Sequence, residues 1–255
     1  MMEPELISQI TRYWDARIHD LVITTHPVGT PGFFRQLDEY RYDKLNYLPR
    51  LLDFASYRGK KLLEVGCGAG IDLVRFARAG AIVNGIDLST TAIDLANKNL
   101  SQNGLNACLR VMNGESMQFD DNNFDVVYAH GVLQYTADAE KMVAEIHRVL
   151  KPGGQAIIMV YNRNSWLNLM RKVTRVSLEH EDAPVLNKYS INEVKQFLKI
   201  FKTGQIIPER FPVKTKLHSG WKARLFNDVF VGTFNLMPRA LVRPLGWHLM
   251  AFATK

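Results

Sequence analysis

The feature that most constrains the fold is a glycine-rich turn between an apolar run and a helical pattern. The residues Glu64-Val65-Gly66-Cys67-Gly68-Ala69-Gly70 follow the apolar run that starts at Lys61 and precede helical spacing from Ile71 onward. Glycine at every second position allows a tight turn and close approach of a ligand to the backbone. The helix that follows presents free N–H groups at its start. The segment predicts a strand, a turn and a helix that share a ligand site.

The residues after this turn alternate between strand and helix patterns. Strands are predicted at 61–65, 81–86, 107–112, 124–129 and 155–161, and helices at 71–79, 89–102 (capped by Ser89), 138–150 and 190–201. This alternation predicts βαβ units in a mostly parallel sheet, an α/β fold with helices on both faces. The carboxyl ends of such strands meet at one edge, where we expect the ligand crevice. Lys151-Pro152-Gly153-Gly154 is expected to break the chain between helix and strand, and residues 246–254 read as a last strand.

Other parts of the chain fall outside this alternation. We expect an N-terminal helical cover at 1–57 and a main domain at 58–255, with insertions at about 162–188 and 212–245. These segments either cover the crevice or simply pack outside the sheet. The stretch from Leu217 to Pro244 carries Lys222, Arg224, Arg239 and Arg243 among aromatics. It could touch a membrane surface, cover a hydrophobic substrate or form ordinary packed helices.

Two acidic residues accompany the glycine turn. The turn is not a dinucleotide G-x-G-x-x-G motif, because Ile71 stands where the third glycine belongs, and it lacks the Gly-Lys-Ser/Thr ending of a phosphate loop. Glu64 ends a buried strand, and a buried carboxylate needs a partner such as a ligand ammonium group or backbone N–H donors. Asp87 follows the second strand, where it either accepts bonds from ribose hydroxyls or serves as a helix-start residue.

At this point the chain resembles the class I methyltransferases that use S-adenosylmethionine (SAM). LLEVGCGAGIDLVRFARAGAIVNGIDLSTTAIDLA is similar to their first two motifs, and FDVVYAHGVLQYTAD with EIHRVLKPGG is similar to later motifs of the branch that methylates small molecules. The resemblance covers about residues 58–161. It implies a Rossmann-like, doubly wound sheet of seven strands with an antiparallel last strand, and it places the last two strands at 203–211 and 247–254.

The resemblance also implies which residues hold SAM and its product S-adenosylhomocysteine (SAH). In such enzymes the glycine turn packs against the methionine part, and the acid after the second strand holds the ribose. Asn113 stands at the position of an aspartate that binds the adenine amino group, and its carbonyl oxygen can still accept that bond. The cofactor-binding set implied in this chain is Glu64, Gly66, Cys67, Gly68, Gly70, Asp87, Leu88, Asn113, Gly114, Glu115, Ala129 and His130.

The residues for the transfer step are less defined by pattern. Methyl transfer needs positioning, and a base if the acceptor atom carries a proton. His130, past the fourth strand, and His180 are the candidate bases, although either could merely pack, and Gln134 stands where the family often has a histidine. Aromatic side chains can shield a sulfonium, and Arg41 could pair with a ligand carboxylate or form a surface ion pair. The substrate and cover candidates are Tyr13, Trp14, Tyr40, Arg41, Tyr42, Gln134 and Tyr161.

Composition bounds the remaining choices. Thirty-two basic and 25 acidic residues give a net charge of +7, but the basic residues are scattered, so nucleic acid is a weak candidate partner. Two cysteines suit a reducing compartment, and the absence of a long apolar run or leader pattern predicts a cytoplasmic protein. We expect no metal. The leading hypothesis is transfer to a small organic acceptor, oxygen preferred over nitrogen or carbon. An RNA or protein methyltransferase and a non-catalytic SAM-binding module are the alternatives, and the oligomeric state is open.

Overall fold

The computed structural model describes residues 3–17, 23–174, 180–213 and 225–255. Lys222 and Arg224, which the sequence places in a possible membrane-facing stretch, lie outside the described residues, as do parts of both predicted insertions. None of the helices in the described ranges is long and apolar enough to cross a bilayer.

One sheet organises the described part of the chain. Its strands are β1 (Lys61–Val65), β2 (Ile82–Asp87), β3 (Cys108–Val111), β4 (Phe124–His130), β5 (Leu150–Tyr161), β6 (Thr203–Glu209) and β7 (His248–Thr254). They lie in the order β3-β2-β1-β4-β5-β7-β6. The five strands β1 to β5 are parallel to one another, and β7 is antiparallel to both of its neighbours, β5 and β6. The predicted fold class is therefore confirmed.

The helices follow the predicted positions closely. They are α1 (Glu3–Ala16), α2 (Pro31–Lys44), α3 (Leu48–Leu51), α4 (Ile71–Arg78), α5 (Thr90–Gln102), α6 (Ala139–Val149), α7 (Trp166–Thr174) and α8 (Ile191–Phe197). Two short helices at Val231–Leu236 and Arg239–Val242 precede β7. The Ser89 hydroxyl accepts from the Ala92 amide at 3.0 Å and caps α5 as predicted. The predicted helix at 190–201 is shorter, because a tighter turn at Leu198–Ile200 replaces its end.

The fifth strand begins earlier than the sequence indicates. Leu150 pairs with Phe124, so Lys151-Pro152-Gly153-Gly154 lies inside the strand as an irregularity in its pairing with β4. The amide of Gly153 donates to the Lys255 carbonyl at 2.9 Å, and the Lys255 amide donates to Gly154 at 3.0 Å. These bonds to the residue after β7 keep the segment in the sheet, with Gly153 in a left-handed conformation (φ +78°) that glycine adopts readily.

The core lies on both faces of the sheet because side chains alternate along each strand. On β1, Leu63 and Val65 enter the cluster beneath α6 and α8, while Leu62 enters the cluster beneath α4. Tyr128 on β4 is fully buried in this second cluster. Burial on both faces fixes the register of the central strands, since a one-residue slip would exchange the faces.

The N-terminal helices lie against this core next to the carboxyl ends of the strands. Phe33, Phe34 and Leu37 of α2 pack with Leu95 of α5. The Asp15 carboxylate at the end of α1 accepts from the Ser89 hydroxyl at 2.8 Å. The helices of the predicted cover are thus attached to the same α5 that follows the second strand.

The contact between the glycine turn and α5 generates a stability prediction. Gly70 has φ +71°, and an added Cβ would lie 3.1 Å from Cβ and 3.2 Å from Cα of Ala96 in α5. Gly104 has φ +65° with no atom within 4 Å of such a Cβ, so it is a matched control. In urea unfolding, Gly104→Ala is expected to lose about 1–2 kcal/mol from the backbone alone. Gly70→Ala should lose about 1–3 kcal/mol more by overpacking. Equal losses would contradict the close packing of turn and helix.

Candidate functional site

The glycine turn is fastened to the end of β2. The amides of Gly66 and Cys67 donate to the Ile86 carbonyl at 2.7 and 3.0 Å, and the Gly68 amide donates to Asp87 Oδ2 at 2.9 Å. Gly68 has φ +52°, and no atom lies within 4 Å of where its Cβ would be. The turn therefore presents bare backbone to open space.

Asp87 is a half-buried anchor for this turn. Its Oδ1 accepts from the Ser89 amide at 2.9 Å and its Oδ2 accepts from Gly68. Burial raises the pKa of Asp87, while these backbone donors oppose the rise. Each carboxylate oxygen has a further lone pair, so Asp87 can still accept bonds from ligand hydroxyls.

Glu64 provides an acceptor that the protein does not use. Its side chain is 4% exposed, and Oε2 has no hydrogen-bond partner. Burial, together with the negative charge of Asp72, raises the pKa of Glu64 well above its usual range. An unpartnered buried acceptor is costly, so its occurrence here indicates a place for a ligand donor.

Two polar residues follow β3 at the same edge. Asn113 Oδ1 accepts from the Glu115 amide at 2.9 Å, which leaves one lone pair for a ligand. Glu115 Oε1 accepts from the Thr136 hydroxyl, from the Ala137 amide at 2.8 Å and from the Asp138 amide at 3.2 Å. Glu115 thus ties this turn to the start of α6, while its Oε2 has no partner.

These groups line one cavity of about 240 Å³ at the carboxyl ends of the parallel strands. From the predicted cofactor set the cavity is lined by Glu64, Gly66, Cys67, Gly68, Asp87, Leu88, Asn113, Gly114, Glu115 and His130. Gly70 and Ala129 are not among the lining residues. From the substrate and cover candidates, Trp14, Arg41 and Tyr161 line it.

The other cover candidates lie elsewhere. The Tyr13 hydroxyl donates to Asp182 at 2.9 Å, and Tyr40 stacks against the Lys44 ammonium group with 5.0 Å between nitrogen and ring centre. Tyr42 donates to Asp72, and Gln134 is fully buried with both amide atoms unpartnered. None of these four side chains is among the residues that line the cavity, so their contact with a ligand stays a prediction.

His180 is also outside the cavity lining. Its Nδ1 lies 3.2 Å from the Tyr13 hydroxyl, and its ring packs 4.9 Å from Trp14 and 6.2 Å from Tyr135. It has φ +53°, an uncommon conformation for a residue other than glycine. The position does not favour His180 as a base, because its ring packs against Trp14 and Tyr135, which line the cavity, and does not line it itself.

Asp72 is a functional residue that the sequence reasoning missed. It stands in the first turn of α4 and accepts from Arg41 Nε at 2.7 Å, Arg41 Nη2 at 2.5 Å, Tyr42 at 2.9 Å and Tyr128 at 2.8 Å. Burial alone would raise its pKa, but the Arg41 charge and hydrogen bonds lower the pKa to about 2. Arg41, expected at the surface or on a ligand carboxylate, instead has a buried protein partner. The sequence did contain a signal for this residue, because Asp72 is an acid two positions after Gly70, the last residue of the glycine turn.

His130 lies at the end of β4 with both ring nitrogens engaged. Nδ1 is 3.2 Å from Arg41 Nη2, and Nε2 is 3.1 Å from the Tyr47 hydroxyl. Burial and the Arg41 charge lower the pKa of His130 to about 3. A base works best when its pKa lies near the working pH, so this environment argues against the predicted role as general base.

A further group beyond His130 also escaped prediction. The Tyr47 hydroxyl lies 2.6 Å from His248 Nδ1, and His248 Nε2 lies 3.1 Å from Arg210 Nη1. His248 begins β7 and pairs with Tyr161 of β5, while Arg210 directly follows β6. His248, Arg210 and Tyr161 line the cavity. Tyr161 is a predicted candidate, but only the pairing of β7 between β5 and β6 brings His248 and Arg210 to the cavity, so no local sequence signal was available for these two.

Comparison with known proteins identifies the central part of the chain. Residues 63–158 match a family model described as a methyltransferase domain. Ubiquinone biosynthesis O-methyltransferase of Coxiella burnetii is 31% identical over 121 residues, covering 48% of this chain and 50% of the relative. The enzyme of that name from Brucella anthropi is 32% identical over 146 residues, covering 52% and 57%. The chain thus spans about half the length of the curated relatives it matches.

Solved structures share the fold. A protein from Pyrococcus horikoshii aligns over 96% of this chain and 99% of its own length, with a TM-score of 0.60 at 17% identity. A SAM-dependent methyltransferase from Aquifex aeolicus aligns over 88% and 98%, with a TM-score of 0.55 at 17% identity. At such identities these structures support the fold alone. Together with the family match, they confirm the predicted resemblance.

The buried ion pair of Asp72 and Arg41 predicts a pH dependence of stability. A folded pKa of about 2 against an ordinary value of 3.8 means that Asp72 stabilises the fold above pH 4 and loses this contribution as pH falls towards 2. The difference corresponds to about 2 kcal/mol. Between pH 5 and pH 2, unfolding free energies should therefore fall by about 2 kcal/mol more in the wild type than in Asp72→Asn.

Asp38→Asn is the matched control for this measurement. Asp38 also binds an arginine through two bonds, at 2.8 and 2.7 Å to Arg75, but this pair is about one-third exposed. Its removal should change stability by less than about 1 kcal/mol. An identical pH profile for Asp72→Asn and the wild type would contradict the assigned role of Asp72.

Proposed function

We propose that this chain, which carries a class I SAM-dependent methyltransferase domain over residues 63–158, transfers a methyl group from SAM to a small organic acceptor. The observation that carries the proposal is the shared cavity of Glu64, Gly68 and Asp87, in which an unpartnered acceptor, bare backbone and a half-buried carboxylate face one space. Oxygen is the preferred acceptor atom, which agrees with the names of the O-methyltransferase relatives.

The residues of the cavity fit SAM in chemical type. Glu64 would receive the ammonium group through its unpartnered Oε2, and Asp87 would receive the ribose hydroxyls through its remaining lone pairs. Asn113 and the Gly114 amide would meet the adenine edge beside Leu88. When bound, SAM supplies an electrophilic methyl group on a sulfonium.

The protein's own contribution to the reaction is positioning and exclusion of water. Trp14, Leu37 and Leu45 from the N-terminal segment line the cavity together with Tyr161 from β5. These apolar and aromatic side chains hold the acceptor in place and keep solvent from the reacting atoms. Because His130 is a weak base in this environment, the proposed mechanism does not route the acceptor proton through it.

The N-terminal segment and the cavity also bear on the location of the protein and on its acceptor class. We place the protein in the cytoplasm and treat residues 1–57 as a cover over the main domain, since α1 and α2 supply part of the cavity wall. The cover and the limited volume of the cavity favour a small molecule over nucleic acid as the acceptor.

Calorimetry with SAM and SAH, followed by transfer of a labelled methyl group to extracted metabolites, tests the function directly. Binding in the micromolar to millimolar range and label in a small organic product are expected. Binding without any transfer would favour a non-catalytic SAM-binding module. Label found only in RNA or protein would show that the acceptor is a macromolecule and not a small molecule. Failure of both SAM and SAH to bind would contradict the proposal.

Gly68→Ala is expected to block the cofactor cavity. Its new methyl group would stand in the open space that Gly68 faces, so SAH affinity should fall about tenfold or more, which is about 1.4 kcal/mol. Gly104→Ala has a similar positive φ and no cavity contact, so it controls for backbone strain. Calorimetric titration of SAH measures both variants. Wild-type affinity in Gly68→Ala would exclude this face of the turn as the binding surface.

The raised pKa of Glu64 predicts that the protein releases a proton when SAM or SAH binds. Burial raises its pKa, so an arriving ammonium group should displace a proton from the carboxyl group. At about pH 6.5 an α-amino group is protonated, so its own uptake is small. Titrations in buffers of different ionisation enthalpy should show more proton release for the wild type than for Glu64→Gln. Equal release by both proteins would remove Glu64 as the ammonium partner.

A further inference from the structure

Five side chains form a continuous line of polar contacts along one end of the cavity. Arg41 contacts His130 at 3.2 Å, His130 contacts Tyr47 at 3.1 Å, Tyr47 contacts His248 at 2.6 Å, and His248 contacts Arg210 at 3.1 Å. We call this group the Arg41–Arg210 line. Its two ends are guanidinium groups, which donate hydrogen bonds and cannot accept them.

The donors and acceptors of this line cannot all be matched. A neutral imidazole has one donor and one acceptor nitrogen, and the Tyr47 hydroxyl has one proton to donate. If Arg41 donates to His130, then His130 donates to Tyr47 and Tyr47 donates to His248. The Nε2–H of His248 then faces an N–H of Arg210. If Arg210 donates first, the same conflict arises between His130 and Arg41. If both imidazoles instead donate to Tyr47, each arginine finds an acceptor nitrogen, but the Tyr47 proton is left without one. Every arrangement therefore leaves one donor without an acceptor within the line.

Changes of charge within the line do not remove this conflict. Burial and the arginine charges lower the pKa of both His130 and His248, so the imidazoles are neutral, and protonating either would only add a donor. A phenolate at Tyr47 would accept from both imidazoles, but burial raises the pKa of Tyr47 above its usual value. The line therefore lacks one acceptor, and an external oxygen could supply it.

The place for that oxygen is at the cavity. Arg41, His130, His248 and Arg210 line it, whereas Tyr47 does not. Arg41 already has Asp72 as its counter-ion, but Arg210 pairs with no carboxylate among the residues described by the structure. The Arg210 end thus carries a positive charge and a hydrogen-bond donor without an anionic partner.

The backbone holds Arg210 in an unusual conformation. It has φ +59°, and its carbonyl accepts from Trp166 Nε1 at 2.9 Å and from the Trp247 amide at 3.3 Å. A non-glycine residue in this region is strained and persists only when its surroundings fix it. Here two tryptophans fix it, which holds the side chain beside His248.

The Arg210 end is remote from the carboxylates proposed to hold SAM. β7 is three strands from β1 in the sheet, or about 14 Å at the usual strand spacing of about 4.8 Å. The carboxylate of SAM is on the same carbon as its ammonium group, so a cofactor whose ammonium binds Glu64 keeps its carboxylate near β1. The anion that fits Arg210 therefore belongs to another molecule.

We propose that the methyl acceptor carries an anionic oxygen group, a carboxylate or a phosphate, which binds Arg210 together with His248 and His130. The proposal rests on the proposed function, because it names the acceptor class of the same cavity. The anion supplies the missing acceptor of the Arg41–Arg210 line and a counter-ion for Arg210. Anionic hydrogen-bond acceptors form the stronger class of such bonds, which makes this end selective for charged over neutral acceptors.

The test uses full-length protein with ¹⁵N-labelled histidine, with and without saturating SAH. Benzoate, phenyl phosphate and neutral benzamide are titrated while NMR follows the ring nitrogens of His130 and His248. At least one of the two anions should shift these signals saturably, and the stronger of them identifies the group; benzamide should not. Arg210→Gln should weaken anion binding about tenfold or more, and Arg210→Lys, which keeps the charge, should weaken it less.

Arg50→Gln is the matched control. Arg50 is a neighbouring arginine that pairs with Glu209 at 3.1 Å and does not line the cavity, so its loss should leave anion affinity close to the wild-type value. Absence of anion binding, equal binding of benzamide, or unchanged affinity in Arg210→Gln would overturn the proposal. So would a loss of SAH affinity in folded Arg210→Gln, because the anion would then be the cofactor's own carboxylate. Failure of SAH to bind the wild type would instead contradict the proposed function.

Discussion

The buried ion pair between Asp72 and Arg41 connects the parts of this molecule on which the site depends. Asp72 belongs to the first turn of α4, directly after the glycine turn, and Arg41 belongs to α2 of the N-terminal segment. Tyr128 from the centre of the sheet donates to the same carboxylate. The pair therefore fixes the N-terminal helix over the carboxyl ends of the strands. It also places a guanidinium beside His130, which removes that histidine from the list of effective bases.

The cavity has two ends of opposite character. Glu64 and Asp87 occupy one end, at β1 and β2, whereas His130, His248 and Arg210 occupy the other, around β4, β7 and β6. Such a separation directs ligands of opposite charge to opposite ends, because charges within a protein cavity interact more strongly than in bulk water. A cationic, hydroxyl-bearing cofactor suits the first end. An anionic acceptor suits the second, so the charge pattern orders two ligands along the sheet.

What could be predicted from the sequence was the part of the site formed by local pattern. The glycine turn, Glu64 and Asp87 lie within 24 residues of one another, and the strand–turn–helix rhythm alone brings them to one edge. Arg210 and His248 could not be found this way, because they depend on the reversed strand β7 inserted between β5 and β6. The candidates Tyr13, Tyr40 and Tyr42 lie outside the cavity lining for a related reason. Their helices lie near the cavity as expected, but helical rotation and polar partners turn the side chains elsewhere.

The most direct test of this two-ended cavity is a crystal structure of the protein with SAH and whichever of benzoate or phenyl phosphate binds. The account predicts the SAH amino group at Glu64, its ribose at Asp87 and the anion at Arg210 and His248. The sulfur atom of SAH should be on the side that faces the anion. SAH with its carboxylate on Arg210, or an anion bound beside Glu64, would contradict it.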